Sequence, residues 1–253
     1  MRFMEKIKIK NSLGENLAGI LHKSKKSSRL VIVCHGRVCT KEEHFYPELC
    51  KELSRNGFNA FRFDFSGNGE SDGKFEDSTI TKDIEDIKSV VDFFINEKYE
   101  IFCLIGHSQG AVVVILHQAK YNSAKCIVDI AAYADQKDAT INKFLEKQIK
   151  ELDQKGFLQL NAWGKSFNLY KKYFYDRAGY GDIKEEIRKI KVPVLIVHGK
   201  EDKDVPIKNS ENMIFALSKK GKFIPIDGAD HFFANKEYRS ILISSIINWF
   251  KSL

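Results

Sequence analysis

Two five-residue runs, Leu30-Val31-Ile32-Val33-Cys34 and Ile101-Phe102-Cys103-Leu104-Ile105, contain no polar side chain. A strand with one wet face alternates apolar and polar residues, because successive side chains point to opposite faces. An unbroken short apolar run instead suits a strand covered on both faces, as in a parallel sheet between two layers of helix. Residues 58–65, 125–131, 194–197 and 222–226 read as further strands. Residues 6–10 and 17–22 are joined by the short turn Asn11-Ser12-Leu13-Gly14-Glu15-Asn16, and so read as antiparallel additions at one edge. Helices are expected over 43–56, closing at Gly57, and over 79–97, 111–121 and 236–251. The second of these carries Ile80, Ile84, Ile87, Val91 and Phe94 on one stripe. The expected fold class is α/β, with a mainly parallel eight-stranded sheet and helices on both faces.

Residues 133–191 interrupt this alternation with far more chain than a usual crossover loop. They hold a helical stripe of Ile141, Phe144, Leu145, Ile149 and Leu152. An aromatic stretch follows, with Phe157, Trp163, Phe167, Tyr170, Tyr173, Phe174 and Tyr175. A segment this short cannot build a core alone. It is expected to pack as a small inserted cap on a core made of 1–132 and 192–253. Its aromatics are expected to line an acyl or alcohol pocket where they are not simply packed.

Charge and cysteine use narrow the function classes. Forty-one Lys and Arg against 34 Asp and Glu give a net charge of +7. The basic residues are spread among acidic ones, and the one compact cluster, residues 22–29, reads as a turn, so no nucleic-acid partner is expected. Cys34, Cys39, Cys50, Cys103 and Cys126 are odd in number and form no CxxC pair, which points to a reducing compartment. The N-terminus alternates Lys with Ile and lacks the apolar block of a signal peptide. No apolar run approaches a membrane span. A cytoplasmic protein is expected, with its oligomeric state, homodimer included, left open. Neither HExxH nor paired CxxC occurs, and Gly67-Asn68-Gly69 lacks the spacing of a nucleotide loop, so no metal and no cofactor are expected.

Gly106-His107-Ser108-Gln109-Gly110 lies between the apolar run 101–105 and a helix. G-x-S-x-G at that junction suits a sharp strand-to-helix turn that lifts a serine hydroxyl clear of the sheet. Serine is a poor nucleophile at neutral pH and needs a base that an acid orients. Two histidines follow the insert. His198 ends an apolar strand and opens His198-Gly199-Lys200-Glu201-Asp202-Lys203-Asp204, which offers Asp202 as the acid and Asp204 as the alternative. His231, just past the last strand, reads as the base. His117, on the helix after Ser108, reads as packed or surface. The backbone N–H groups of Gln109 and of Arg37, in His35-Gly36-Arg37-Val38, are the expected oxyanion donors. His35 is expected to shape that loop, and Asp64 and Asp72 to bond backbone amides in a turn.

These segments resemble the α/β-hydrolase superfamily, in the branch of serine aminopeptidase-like hydrolases, monoacylglycerol lipases and cinnamoyl (feruloyl) esterases. The resemblance is carried by Phe61-Arg62-Phe63-Asp64-Phe65-Ser66-Gly67-Asn68-Gly69-Glu70-Ser71-Asp72-Gly73, by "GHSQG", by "PVLIVHGKEDKDVP" and by "GADHFF". It implies a catalytic triad of Ser108, Asp202 and His231, and hydrolysis of a small-molecule carboxylic ester through an acyl-enzyme. It departs at Ala111, where these esterases often carry glycine, and at Arg37, where they usually place an aromatic residue. A lipase, thioesterase or aminopeptidase stays open as an alternative, as does a ligand-binding receptor on a hydrolase scaffold. Arg37 and the basic excess hint at an ester that bears an acidic group.

Overall fold

The computed structural model describes residues 4–25, 27–136, 146–162, 165–217 and 221–253. Its strands are β1 (Met4–Lys10), β2 (Asn16–His22), β3 (Arg29–Cys34), β4 (Asn59–Phe63), β5 (Glu100–His107), β6 (Cys126–Ile130), β7 (Phe157–Ala162), β8 (Lys165–Tyr170), β9 (Val194–Gly199) and β10 (Gly221–Ile226). The α-helices are α1 (Tyr46–Arg55), α2 (Ile80–Asn96), α3 (Gln109–Tyr121), α4 (Glu146–Lys155), α5 (Lys171–Gly179), α6 (Ile183–Lys189), α7 (Lys208–Leu217) and α8 (Lys236–Lys251). Eight strands form one sheet in the order β1-β2-β4-β3-β5-β6-β9-β10. β1 and β2 pair antiparallel, β2 meets β4 antiparallel, and the remaining pairs are parallel. The sheet is therefore mixed at one edge only, where the short first turn requires it.

β3 explains its own unbroken apolar run. Ile32 packs on one face of the sheet with residues of α2, α3, α6 and α7, such as Ile87, Ile115, Ile187 and Met213. Val31 and Val33 pack on the other face with α1 and α8, through Leu49, Leu53, Ile246 and Phe250. Helix ends follow local chemistry: the Thr79 hydroxyl caps α2 by accepting from the Lys82 amide. Gly57 stands just past α1 at φ +95°, a conformation that side chains resist.

Between β6 and β9 the chain departs from what its composition suggested. Ile141, Phe144, Leu145 and Trp163 lie outside the described residues. The aromatic stretch contains an antiparallel hairpin of β7 and β8. Leu158, Leu169, Tyr173 and Phe174 are buried with Phe75 in a small separate core, and the Phe167 ring lies tilted against that of Phe75 at 5.0 Å. Tyr173 and Phe174 are therefore packed, Tyr173 also lines a small cavity with Gly36, Arg37 and Gln109, and Tyr175 points to solvent. α6 instead buries Ile183 and Ile187 in the main core. α7 was not anticipated from the sequence.

The turn after β4 is built on a buried ion pair. Asp64 is fully buried and accepts from the Lys41 ammonium at 2.7 Å, the Lys41 amide at 2.7 Å and the Glu70 amide at 2.9 Å. Asp72 accepts from the backbone and side chain of Asn16, at 2.9 and 2.7 Å. Both carboxylates thus do the turn-forming work expected of them. Removing one member of a buried pair leaves the other charge uncompensated, so Lys41→Met is expected to cost about 3–5 kcal/mol in urea unfolding. A loss below about 1 kcal/mol would show that the turn stands without this pair.

Candidate active site

Ser108 joins β5 to α3 with φ +54° and ψ −119°. That is the left-handed half of the backbone map, which a side chain enters at a cost of order 1–3 kcal/mol. The flanking glycines explain how the turn closes. A Cβ on Gly106 would sit 2.3 Å from the Gly110 carbonyl oxygen, and one on Gly110 would sit 2.4 Å from that of His35. The Ser108 amide donates to Ile130 O at 2.8 Å, which pins the turn to β6. Helix α3 begins at Gln109, whose amide is one of the first-turn N–H groups without an intrahelical acceptor.

His231 and Asp202 meet as expected. His231 Nδ1 donates to Asp202 Oδ2 at 2.6 Å. The other carboxylate oxygen, Oδ1, accepts from the amides of Asp204 and Val205 at 2.8 and 2.7 Å. Of the two candidate acids, then, Asp202 contacts His231, and Asp204 contributes its backbone. His198 gains a role that the sequence did not suggest. Its Nε2 lies 3.1 Å from Asp202 Oδ2 and 2.9 Å from Val205 O, while Nδ1 faces Ser210 Oγ at 2.7 Å. Burial alone would push the Asp202 carboxyl up, but the bonds from His198, His231 and the Val205 amide outweigh it. They hold the group well below the usual carboxylate range.

A second buried chain ties Ser108 to His231. His107 Nε2 donates to the His231 carbonyl at 2.9 Å, and Tyr46 OH lies 2.7 Å from His107 Nδ1. The Gly36 amide in turn donates to that phenol oxygen at 3.2 Å. With Nε2 as donor and Nδ1 as acceptor, His107 is neutral; burial first, then the nearness of His231 and His44, hold it there. One chain of bonds thus runs from the loop after β3, past the residue before Ser108, to the backbone of His231. Neither Tyr46 nor His107 was singled out from the sequence.

The predicted oxyanion donors lie where this network converges. A Cβ on Gly36 would come 3.4 Å from Ser108 Cβ, so the loop carrying Arg37 abuts the serine. The Arg37 amide donates to no acceptor among the described residues. The Gln109 side chain is held at both ends: Nε2 donates to Asp83 Oδ2 at 3.0 Å, and Oε1 accepts from Tyr173 OH at 2.6 Å. Arg177, in α5, donates through Nη1 to the same phenol oxygen at 3.2 Å and through Nε to Gln136 at 2.9 Å. Burial, and to a lesser degree the charge of Arg37, push the Arg177 guanidinium down.

Other groups are accounted for elsewhere. His35 faces Gly36 O through Nδ1 at 2.7 Å and accepts the Phe65 amide on Nε2 at 3.1 Å, shaping its loop as expected. His117 is fully buried between Ile84 O and Ser123, and burial lowers it to about 4. Cys39, Glu43 and His44 bring one ligand atom each within 4.8 Å of one another and could hold a metal ion. A surface concavity of about 1080 Å³ is lined by residues such as Met4, Pro47, Arg55 and Arg62, and includes none of the site residues. Chemistry, not volume, marks the site.

Comparison with known proteins identifies the fold and the family. Among solved structures, Est1E from Butyrivibrio proteoclasticus with ferulic acid bound superposes with a TM-score of 0.78. It is 25% identical, over 97% of this chain and 98% of that one. The fold is that of the α/β hydrolases. The family description "Serine aminopeptidase, S33" matches residues 25–165, and the chain belongs to that family. Human "Palmitoyl-protein thioesterase ABHD10, mitochondrial" is 29% identical over 164 residues, which are 63% of this chain and 51% of the human protein. The chain thus spans about half the length of that relative. "AB hydrolase superfamily protein YisY" of Bacillus subtilis (strain 168) is 25% identical over 252 residues, covering 87% of this chain and 92% of YisY.

Asp83 gives the site a pH signature. Burial, and then the adjacent Asp86, push its carboxyl well above the usual range, and Oδ1 has no hydrogen-bond partner among the described residues. In the unfolded chain it ionises near pH ~4, whereas the fold holds its proton to higher pH. The unfolded state therefore binds fewer protons above that point, and Asp83 erodes stability as pH rises. Asp83→Asn keeps an acceptor for Gln109 without this penalty. It is expected to be more stable than the wild type at pH 7 in urea unfolding, with the gain vanishing toward pH 3.5. A variant no more stable at pH 7 would contradict a protonated Asp83.

Proposed function

We propose that the protein is a serine hydrolase that cleaves carboxylic esters through an acyl-enzyme on Ser108, with His231 as base and Asp202 as its orienting acid. The observation that carries this reading is the 2.6 Å contact of His231 with a buried Asp202, tied through His107 to a strained serine turn. With Nδ1–H given to Asp202, the lone pair of His231 is on Nε2. It takes the Ser108 proton as Oγ attacks the ester carbonyl. The amides of Gln109 and Arg37 hold the oxyanion. The alcohol leaves with the proton from His231, and water, activated by the same imidazole, then releases the acid.

Small or aromatic acyl esters, of the hydroxycinnamoyl kind, are the proposed substrates, supported by the likeness to Est1E with ferulic acid bound. The likeness to a palmitoyl-protein thioesterase favours a second reading, thioester cleavage by the same residues. Residues 133–191 act as the cap, reaching the site through Tyr173. No helix of the described residues is long and apolar enough to cross a membrane. The five cysteines are free and buried, which supports a reducing compartment such as the cytoplasm.

A rate series tests the reading. p-Nitrophenyl esters of rising acyl length, methyl ferulate and an acyl thioester are compared in wild type and Ser108→Ala. Ser108→Ala is expected to lose at least about a thousandfold in kcat. Near-normal turnover in that variant sinks the proposal, and a rate that climbs with acyl length would favour a lipase.

The acid can be assigned in the same assay. Asp202→Asn presents His231 with the wrong hydrogen-bond partner, and a loss of about a hundredfold or more is expected. Asp204→Asn keeps its backbone amide, and its rate should stay within about threefold of the wild type. The reverse ranking would move the acid to Asp204.

A further inference from the structure

Two guanidinium groups converge beside the candidate oxyanion site without a counter-ion among the described residues. Arg37 Nη1 lies 3.4 Å, and Arg177 Nη1 3.2 Å, from the same oxygen, Tyr173 OH. The phenol proton is directed to Gln109 Oε1, so that oxygen accepts from both arginines and carries no charge to offset theirs. The remaining neighbours of Arg177 are the Gln136 amide oxygen and the ring of Tyr133, 5.6 Å from its guanidinium carbon. Among the described residues no carboxylate pairs with Arg37 or Arg177. Elsewhere in the fold buried cations do have carboxylates: Lys41 meets Asp64 and Glu70, and Arg62 meets Glu42 at 2.8 Å.

Arg177 is only 5% exposed. Burying a cation without a partner, next to a second cation, costs several kcal/mol that polar contacts and a ring face offset only in part. A surface lysine or arginine bears no such cost, because water screens it. Such a charge is retained where something outside the chain completes it. Its location says what that is. Gly36, the neighbour of Arg37, abuts Ser108, and Gln109 directly follows it. The arginine pair is thus joined to the residues on either side of the serine turn.

We propose that Arg37 and Arg177, joined through Tyr173, form a subsite for an anionic group, a carboxylate or a phosphate, carried by the substrate of Ser108. This rests on the serine-hydrolase reading and names its substrate class: esters whose acyl or alcohol part bears a negative charge. The planar forks of two guanidinium groups suit the paired oxygens of such an anion. Arg37 is half-buried and Arg177 buried, so in this proposal Arg37 is the first of the two to meet the anion.

The test is a ratio. kcat/KM is measured for the p-nitrophenyl hemiester of glutaric acid and for p-nitrophenyl valerate, its neutral counterpart. The wild type is expected to favour the anionic ester at least about tenfold. Arg177→Met should remove about tenfold of that preference, and Arg177→Lys should retain part of it. A general loss of fold lowers both rates alike and leaves the ratio unchanged. Should Arg177→Met fail to fold, Arg177→Gln, which keeps donors to Tyr173 and Gln136, takes its place.

A wild type that shows no preference for the anionic ester, or a preference that survives loss of the guanidinium, overturns the subsite and leaves the serine-hydrolase reading standing. If instead no ester is turned over, the hydrolase reading fails, and thermal unfolding with free glutarate or with inorganic phosphate decides the subsite. A rise in Tm in the wild type that Arg177→Met abolishes supports it, and the stronger of the two anions identifies the ligand. No rise with either overturns it.

Discussion

Where β5 turns into α3, the backbone passes so close to the end of β3 that only glycine fits at Gly110, with Cys34 and His35 carbonyl oxygens 2.6 and 2.4 Å from the place of a Cβ. This crowding orders much of what surrounds it. The turn must leave β5 at a steep angle, which forces Ser108 to positive φ and sets the axis of α3. The same approach brings the loop after β3 against the serine, so the proposed nucleophile and the proposed oxyanion loop are fixed by one contact and not by two. The strain is of order 1–3 kcal/mol and is held by strands buried on both faces. Such strands also cannot shift register without turning apolar side chains into the wrong layer.

Around that contact, burial and hydrogen bonding together decide which groups can titrate. Burial is the first cause that lowers His35, His107 and His117. Each has backbone or hydroxyl partners that accept a neutral ring, and so serves as a strut. His231 is distinguished by its partner, a carboxylate held ionised by two amides and a second histidine. The chain from Gly36 through Tyr46 and His107 then reaches His231 by its carbonyl, leaving the imidazole to Asp202. Position comes from the backbone and reactivity from the side chain. In the proposed mechanism that separation fixes the base through its backbone and leaves its ring for the reaction.

The sequence showed what local pattern can show. All eight strands of the main sheet and the helices next to Ser108 were legible because apolar period is a property of neighbouring residues. The pairing of Asp202 with His231 was legible because both follow strand ends, which parallel topology places on one rim. In β7, Leu158 and Leu160 alternate with Gln159 and Asn161, a strand period masked by the aromatic residues around it. The spacing of Met213 and Leu217, both buried, likewise carried the unread signal of α7. The struts Tyr46, His107 and Lys41 were not legible at all. Their partners stand far away in sequence, and nothing local distinguishes them from ordinary core or surface residues.

The same distinction bears on why the arginine pair is uncompensated. Tyr173 connects it through Gln109 to Asp83, the nearest acid along that bonded path. Ionised, Asp83 would supply a counter-charge through the relay. Burial and the neighbouring Asp86 push its carboxyl well above the usual range, which disfavours that charge. Asp86 is engaged in turn by Asn11 and the Ser66 amide at 2.8 Å each, fixing the turn after β4. The acids under the site are thus spent on the scaffold. In the proposed subsite, the charge that the fold withholds from Arg37 and Arg177 is one a substrate can bring.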